Sequence, residues 1–513
     1  MLLSQLLDYA YSHWHLVITI LPILHILSNK FNRGLYKYPG PAIAAYTNWW
    51  RPFDVLSRRP HHTHIALHRK HGTIVRLGPN ILSFSDPQSL KTIYGLNKGM
   101  TKSDFYPIQS SISNGRRLQS LFSAQDEAYH ARYRRCVNSA FAMTSMVGYE
   151  PLVESTLDIF IEQTRRRYAA TGSHCDFSRW LQFFAFDVIG DLTWSRRPGF
   201  LETDHDVDGI ISFVAGFLAY AAVVGQLPVL DVLWAKNPLK LKLQELGISK
   251  TVFPVTKFAK ERERERLAAN DKKPTSTGID LMSKFQQAQQ DHPDFMTELQ
   301  VLSSCTSMIF AGSETTAISL SAIFYYLVKN PLVYRKLMAE IDDAVATGAI
   351  ESRPNRKVSW KESQKLPYLD AVIQESFRIH PAPGLLLERV VPPHGAMICG
   401  EHIRGGTIVG CNPWVIHRCR EVFGDDADDF RPERWQLAND EELKKMKAAM
   451  FQFGAGPRTC IGKNISLMEI YKVVPTFLRS FTVEMAQPDA DWMTYNAWFV
   501  RQLDFEVVFK ERP

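Results

Sequence analysis

Residues 453–462, F-G-A-G-P-R-T-C-I-G, constrain the fold of this chain more than any other stretch. One cysteine, Cys460, stands among three glycines. Apolar side chains at helical spacing follow over 464–479, with Ile465, Leu467, Met468 and Tyr471 on or near one face. Gly454, Gly456 and Gly462 permit positive φ and close backbone approach, so the loop can turn several N–H groups onto one sulfur. Such hydrogen bonds stabilise a thiolate and tune a metal bound to it. The N-terminal end of the following helix favours the same anion. Pro457 stiffens the turn, and Arg458 sets a cation two residues before the sulfur. A lone cysteine in a glycine-containing loop also reads as a buried free thiol.

The seven cysteines (136, 175, 305, 399, 411, 419 and 460) form no C-x-x-C pair and are odd in number, which fits a reducing compartment. Zinc and iron–sulfur sites need clustered ligands, and none stand at those spacings. A hydrophobic share of 45% with 22% charged residues is ordinary for a globular chain with a sizeable core. The formal charge of +7 is mild and no basic block carries interleaved aromatics, which argues against a nucleic-acid partner.

An apolar segment, densest over 14–27, opens the chain, though His13, His15, Pro22 and His25 weaken it as a spanning helix. Lys30, Arg33 and Lys37 follow, so an uncleaved anchor over 1–29 would leave the rest cytosolic; a cleavable signal peptide is the alternative. Residues 30–41 read as a basic, proline-rich linker, and 42–513 as one catalytic domain. Alternation about a Gly-Pro-Asn turn predicts a hairpin over 73–84. Residues 100–122 read as a polar surface loop, and 130–141 as a helix with His130 and Arg134 one turn apart. Those two donors suit a carboxylate pair, or are a solvated basic face. Residues 150–270 read as successive helices, with an almost uncharged buried pair over 209–233. The charges alternating over 260–266 mark a solvated face, and 270–278 a polar break.

The longest helical pattern covers 297–329, capped at Thr297 and stopped before Asn330-Pro331. Its centre, A-G-S-E-T-T at 311–316, is a poor helix former and predicts a local distortion. Glu314 beside Thr315 makes a proton route; alternatively Thr315 bonds back to the helix and Glu314 faces solvent. Glu375 and Arg378 share a helix face over 370–380, with Pro432-Glu433-Arg434 further on; alone, the first two would be a surface ion pair. Residues 381–389 become apolar, as for a strand edge over a ligand, and 492–500 carry aromatics that read as a pocket wall or a core strand.

Four patterns in this order, Ala311-Gly312-x-Glu314-Thr315-Thr316, Glu375-x-x-Arg378, Pro432-Glu433-Arg434 and Phe453-x-x-Gly456-x-Arg458-x-Cys460-x-Gly462, resemble the cytochrome P450 family of haem-thiolate monooxygenases. The overall style is similar to fungal microsomal members of the pisatin demethylase kind. The resemblance implies a mainly α fold with a small β region, and haem b (iron protoporphyrin IX) between the long central helix and the Cys460 loop. Cys460 would be the metal ligand, an axial thiolate, with Phe453, Gly454, Arg458 and Gly462 around it. His130, where a Trp often stands in the family, would clamp the propionates with Arg134 and Arg389. Thr315 and Glu314 would be catalytic, and Glu375, Arg378 and Arg434 a buried structural cluster. Phe310, Ala311, Leu385 and Trp498 would border the substrate.

The implied activity is monooxygenation of a lipophilic small molecule, by hydroxylation, dealkylation or epoxidation, in secondary metabolism or detoxification. Oxidative phenol coupling and haem-thiolate isomerase or dehydratase chemistry are the alternatives on the same fold. No flavin or nicotinamide fingerprint is present, so the implied partner is a membrane-bound NADPH-cytochrome P450 reductase, with cytochrome b5 as a second donor. Lys463, Arg458 and 444–447 are candidate docking cations. The implied location is the endoplasmic reticulum membrane.

Overall fold

The computed structural model describes residues 12, 14–248, 254–268, 280–353 and 356–512. The polar break at 270–278 and the first part of the apolar N-terminal segment lie outside the described residues. Helices dominate and the strands are short, so the fold is mainly α with a small β region.

The central helix, Glu298–Lys329, has 32 residues and spans about 48 Å at about 1.5 Å per residue. It starts where expected: Gln300 Oε1 accepts the backbone N–H of Thr297 at 3.2 Å. Helix Phe177–Trp194 packs along it and is buried on nearly every side, as its almost continuous apolar sequence requires. Gly312 sets their separation. A Cβ there would lie 2.8 Å from Ile189 Cγ1 and Cδ1, too close for any side chain without a shift. Around this pair Phe160, Phe177, Phe324 and Phe477 pack with ring centroids 4.9–5.4 Å apart. Burying each ring contributes roughly 1.5–3 kcal/mol.

The largest sheet runs Ile74–Gly78, Ile81–Phe84, Ile408–Gly410, Arg389–Val390, Thr101–Lys102. Its first two strands are the hairpin expected at 73–84. Its last pair sets Lys102 directly opposite Arg389. Near the C-terminus, Met493–Ala497 pairs with Phe499–Leu503. Between them Trp498 turns at φ +80, a conformation that strains a bulky residue. The turn is held by Gly384, whose N–H donates to the Trp498 carbonyl at 2.9 Å.

Three expectations are corrected. Residues 100–122 are no surface loop: they form Thr101–Lys102, a turn at Tyr106–Gln109 and the hairpin Ser111–Ser113 with Arg116–Leu118. Phe105, Tyr106, Ile108 and Leu118 are buried, so the apolar side chains outweigh the serines between them. The stretch 209–233 is no buried pair. Helix Ile210–Val224 buries only Ile210, Val214, Leu218, Ala221 and Ala222. The short helix Val229–Leu233 leaves Val229, Val232 and Leu233 exposed. Finally, the central helix is unbroken at 311–316. Ser313 and Thr315 donate to the carbonyls of Ile309 and Ala311 at 2.6 and 2.7 Å, which satisfies the hydroxyls inside the helical register.

Helix Trp14–Phe31 exposes Ile20, Leu21, Ile23, Leu24 and Leu27. After it, Leu35 is buried, and Arg76 Nη1 donates to the Lys30 carbonyl at 2.9 Å. Among the described residues, Val207–Val224 and Glu298–Lys329 are long and apolar enough to cross a membrane by composition; the second is the core helix.

Candidate active site

The loop before helix Lys463–Ser480 turns on two glycines in the left-handed region, Gly454 at φ +70 and Gly456 at φ +64. A Cβ on Gly456 would lie 1.8 Å from the Tyr94 carbonyl oxygen, so only glycine fits. Gly462 differs from expectation. Its φ is −81, open to any residue, and a Cβ there would make only an ordinary contact with Cys460 Sγ, at 4.0 Å. The Cys460 N–H donates to the Phe453 carbonyl at 2.9 Å. The N–H groups of Gly462 and Lys463 point at the sulfur. Burial pushes the Cys460 thiol up; these N–H groups and the Arg134 charge oppose it. The sulfur is nevertheless accessible, so it opens onto a space lined by protein.

Arg134 comes from helix Glu127–Val137, whose start is capped by Asp126. Its Nη1 donates to the carbonyls of Thr459 at 2.7 Å and Pro457 at 3.2 Å. Arg134 therefore braces the cysteine loop. His130, one turn earlier, is buried. Burial, followed by the charges of Arg458, Lys102 and Arg134, pushes its imidazole down to about 3, so it is neutral. Arg458 is also inside: it donates to Glu127 Oε1 at 2.7 Å and to the Leu121 carbonyl at 3.3 Å, with 5% of its side chain exposed. That burial removes it from the surface docking cations expected above.

Arg389 Nη1 donates to the Glu388 carbonyl at 2.8 Å and to Tyr106 Oη at 3.2 Å. Opposite it, Lys102 Nζ donates to the Phe122 carbonyl and lies 4.3 Å from the ring centres of Tyr106 and Phe122. Burial, then Arg389 and Arg458, push the Lys102 amine well below its usual range. The neighbouring acids are committed elsewhere. Glu388 takes Arg51 and Ser103, and Glu127 takes Arg458. Lys102 had no signal in the sequence beyond its charge.

Facing the loop is the central helix. Ala311 is exposed in the middle of this buried element and Phe310 partly so. Glu314 does not face solvent. It is buried, accepts a hydrogen bond from Gln182 Nε2 and lies 3.2 Å from Arg501 Nε. Arg501 and Gln182 were not legible as site residues. Only strand alternation over Phe499–Leu503, which turns Arg501 away from buried Val500 and Gln502, hinted at the first. Thr316 Oγ1 donates to Ser466 Oγ at 3.1 Å, tying this helix to the one that follows the cysteine.

Behind the loop, Glu375 is fully buried. It accepts from Arg378 Nε and Nη2 at 2.9 and 2.8 Å, Arg434 Nε at 3.0 Å and Trp435 Nε1 at 2.9 Å. Burial opposes its ionisation, but Arg378 and Arg434 prevail and hold its carboxyl below the ordinary range. The surface ion-pair alternative is thereby excluded. Among the substrate-side residues, Phe310 packs 5.4 Å from Phe217, and Leu385 is buried in a cleft with Phe105 and Glu388. Trp498 is buried beneath Phe105 and Phe122, at 4.9 and 5.8 Å.

The sequence profile described as Cytochrome P450 matches residues 43–508. This chain belongs to the cytochrome P450 family. The P450 is 40% identical to a cytochrome P450 monooxygenase of Aspergillus terreus, over 94% of this chain and 97% of that protein. It is 40% identical to cytochrome P450 monooxygenase cicH of Emericella nidulans, over 93% of this chain and 94% of the relative. It is 37% identical to cytochrome P450 monooxygenase mpaDE of Penicillium roqueforti, over 93% of this chain but 55% of that longer protein. The protein is thus a P450 monooxygenase, an oxidoreductase with a haem-thiolate cofactor, a redox partner and a lipophilic substrate. The residues present fit that cofactor. An accessible sulfur ringed by N–H donors suits a soft metal ligand. Lys102 and Arg389, buried side by side with no acid of their own, suit the carboxylates of a porphyrin edge.

Proposed function

We propose that this P450 is a microsomal, NADPH- and reductase-dependent enzyme that hydroxylates, dealkylates or epoxidises a lipophilic small molecule of secondary metabolism or detoxification. The observation that carries the reading is the Cys460 sulfur, open to the interior and held by the N–H groups of Gly462 and Lys463. Bound haem supplies oxygen activation and oxygen-atom insertion. Cys460 holds the metal, with Phe453, Gly454, Arg458 and Gly462 shaping the loop. Lys102 and Arg389 take the porphyrin carboxylates, His130 adds a neutral donor and Arg134 braces the loop. Thr315 commits its hydroxyl proton to the Ala311 carbonyl, which leaves its oxygen lone pairs to receive and pass a proton. Glu314, anchored by Arg501 and Gln182, is the acid that supplies it. Phe310 and Ala311 border the substrate, with Leu385 and Trp498 behind. Glu375, Arg378 and Arg434 hold the segment 417–429 through the carbonyls of His417, Phe423, Asp426, Ala427 and Asp429.

Exposed apolar side chains support an anchor with the catalytic domain on the cytosolic face of the endoplasmic reticulum. They lie on helix Trp14–Phe31, at Trp49, Phe53 and Leu56, and at Val229, Leu233 and Trp234. Helix Trp50–Leu56 packs on Ile210–Val224, the helix that precedes Val229–Leu233 in the chain. Lys444, Lys447 and Lys463 are exposed and suit an acidic reductase or cytochrome b5. Product analysis with and without NADPH and reductase tests the reading. Oxygenated product that needs both supports it; conversion without either turns the assignment to isomerase or dehydratase chemistry.

A further inference from the structure

We infer that Asn412 and Asn496 are positioning residues for the oxygenation site: they hold the Gly384 carbonyl between them and so fix Leu385 and Trp498 as a preformed wall. This rests on the reading that Leu385 and Trp498 stand behind the substrate.

Residues 381–385, P-A-P-G-L, lie outside helix and strand, and their two prolines have no N–H to give. Side chains hold the segment instead. Asn412 Nδ2 donates to the Gly384 carbonyl at 3.1 Å and Asn496 Nδ2 donates to the same oxygen at 2.9 Å. The orientation of Asn412 is fixed, because its Oδ1 accepts the Trp414 N–H at 3.0 Å. The second N–H of each amide goes to a histidine of helix Pro60–His71: to His64 Nδ1 at 3.0 Å and to His61 Nδ1 at 3.2 Å. Facing donors, both ring nitrogens accept and carry no proton; burial keeps the rings neutral, with His64 pushed down to about 3. All four side chains are buried, so no water competes for these bonds.

Gly384 also works in the other direction. Its N–H donates to the carbonyl of Trp498, the residue turned at φ +80, two places after Asn496. A Cβ at 384 would lie 2.3 Å from Asn496 Nδ2 and from Val500 Cγ2, so the contact requires glycine. Leu385 follows in the chain and shares its cleft with Phe105, whose ring packs 4.9 Å from Trp498. One peptide unit thus sets both parts of the wall. A misplacement of about 1 Å at such a surface costs on the order of 10²-fold in rate.

The test is titration of the holoenzyme with three azoles of rising bulk, imidazole, 4-phenylimidazole and clotrimazole, read from the Soret shift. Asn412→Asp and Asn496→Asp keep the side-chain size but set a carboxylate oxygen against the Gly384 carbonyl. Each variant should bind imidazole within about twofold of wild type and clotrimazole about tenfold more weakly, the loss of one hydrogen bond, with 4-phenylimidazole between. Unchanged clotrimazole binding in both variants overturns the inference. So does a lowered melting temperature with all three azoles weakened alike, the mark of a merely structural role. If neither variant folds, hydrogen exchange of the wild type over 380–388 and 496–501 decides: slow exchange without ligand supports a preformed wall, and fast exchange that slows only on adding clotrimazole overturns it. Imidazole binding and the carbon monoxide spectrum report the cysteine site itself, so a failure here is distinct from a failure of the oxygenase reading.

Discussion

Lys102 and Arg389 stand directly opposite each other on antiparallel strands, both buried. Like charges so placed repel, and burial deepens the cost. The strain shows in the Lys102 amine, pushed well below its usual range, and an anion between or beside the two groups would relieve it. Lys102→Met and Arg389→Met should each speed haem transfer to apomyoglobin by about 10- to 100-fold, the equivalent of one charged hydrogen bond at about 1.5–3 kcal/mol. Lys102→Arg should stay near wild type. Wild-type transfer rates in both neutral variants would contradict the assignment.

Glu375 gathers two arginines and an indole inside the core. Glu375→Gln should cost about 3–5 kcal/mol, because two buried guanidinium groups lose their counter-charge. Urea unfolding of the holoenzyme measures it; a loss below about 1 kcal/mol would place the cluster outside the core's support.

Stability should also fall with acid in two stages. His64, His380 and His417 are pushed down to about 3 by burial. Each stays neutral when folded but binds a proton when unfolded, so its contribution is full above about 6.5 and declines as pH falls below that. Glu375, whose folded value is depressed, adds its loss only below the unfolded value of about 4.3. Melting temperature followed from pH 8 to 3.5 should therefore begin to drop near pH 6.5. A flat profile down to pH 4.5 would contradict the buried neutral histidines.

Arg501 reaches Glu314 from a hairpin far along the chain. Glu314→Gln should cut product formation by about 10²-fold or more while NADPH consumption persists, with the electrons appearing as hydrogen peroxide. Arg501→Gln should show the same diversion more weakly, and Arg501→Lys should partly restore product. Peroxide yield per NADPH with a substrate found by haem difference spectroscopy is the readout. Unchanged yield in Glu314→Gln would remove it from the proton route.

Lys463 is exposed beside the cysteine loop, its Nζ 5.5 Å from the Phe453 ring. Lys463→Glu should slow reduction by the reductase several-fold at low salt and flatten its salt dependence. Stopped-flow reduction under carbon monoxide checks this; identical kinetics at low ionic strength would refute the choice of residue.

Features carried by local pattern were legible. The central helix followed from its periodicity and caps, and the cysteine loop from its glycines. Contacts made across the chain were not. Helix spacing placed His130 and Arg134 on one face but could not show that Arg134 Nη1 reaches the Thr459 carbonyl. Serines between Met100 and Phe122 masked the apolar residues that bury the segment, and with it Lys102. The glycines of the loop suggest positive φ at all three positions, whereas only Gly454 and Gly456 adopt it and Gly462 does not.

The most direct test is the carbon monoxide spectrum of the reduced, haem-loaded protein and of its Cys460→Ser variant. The account predicts a thiolate-type Soret band in the wild type and its loss in the variant. A wild type without that band, or a variant that keeps it, would contradict a porphyrin bound through the sulfur of Cys460.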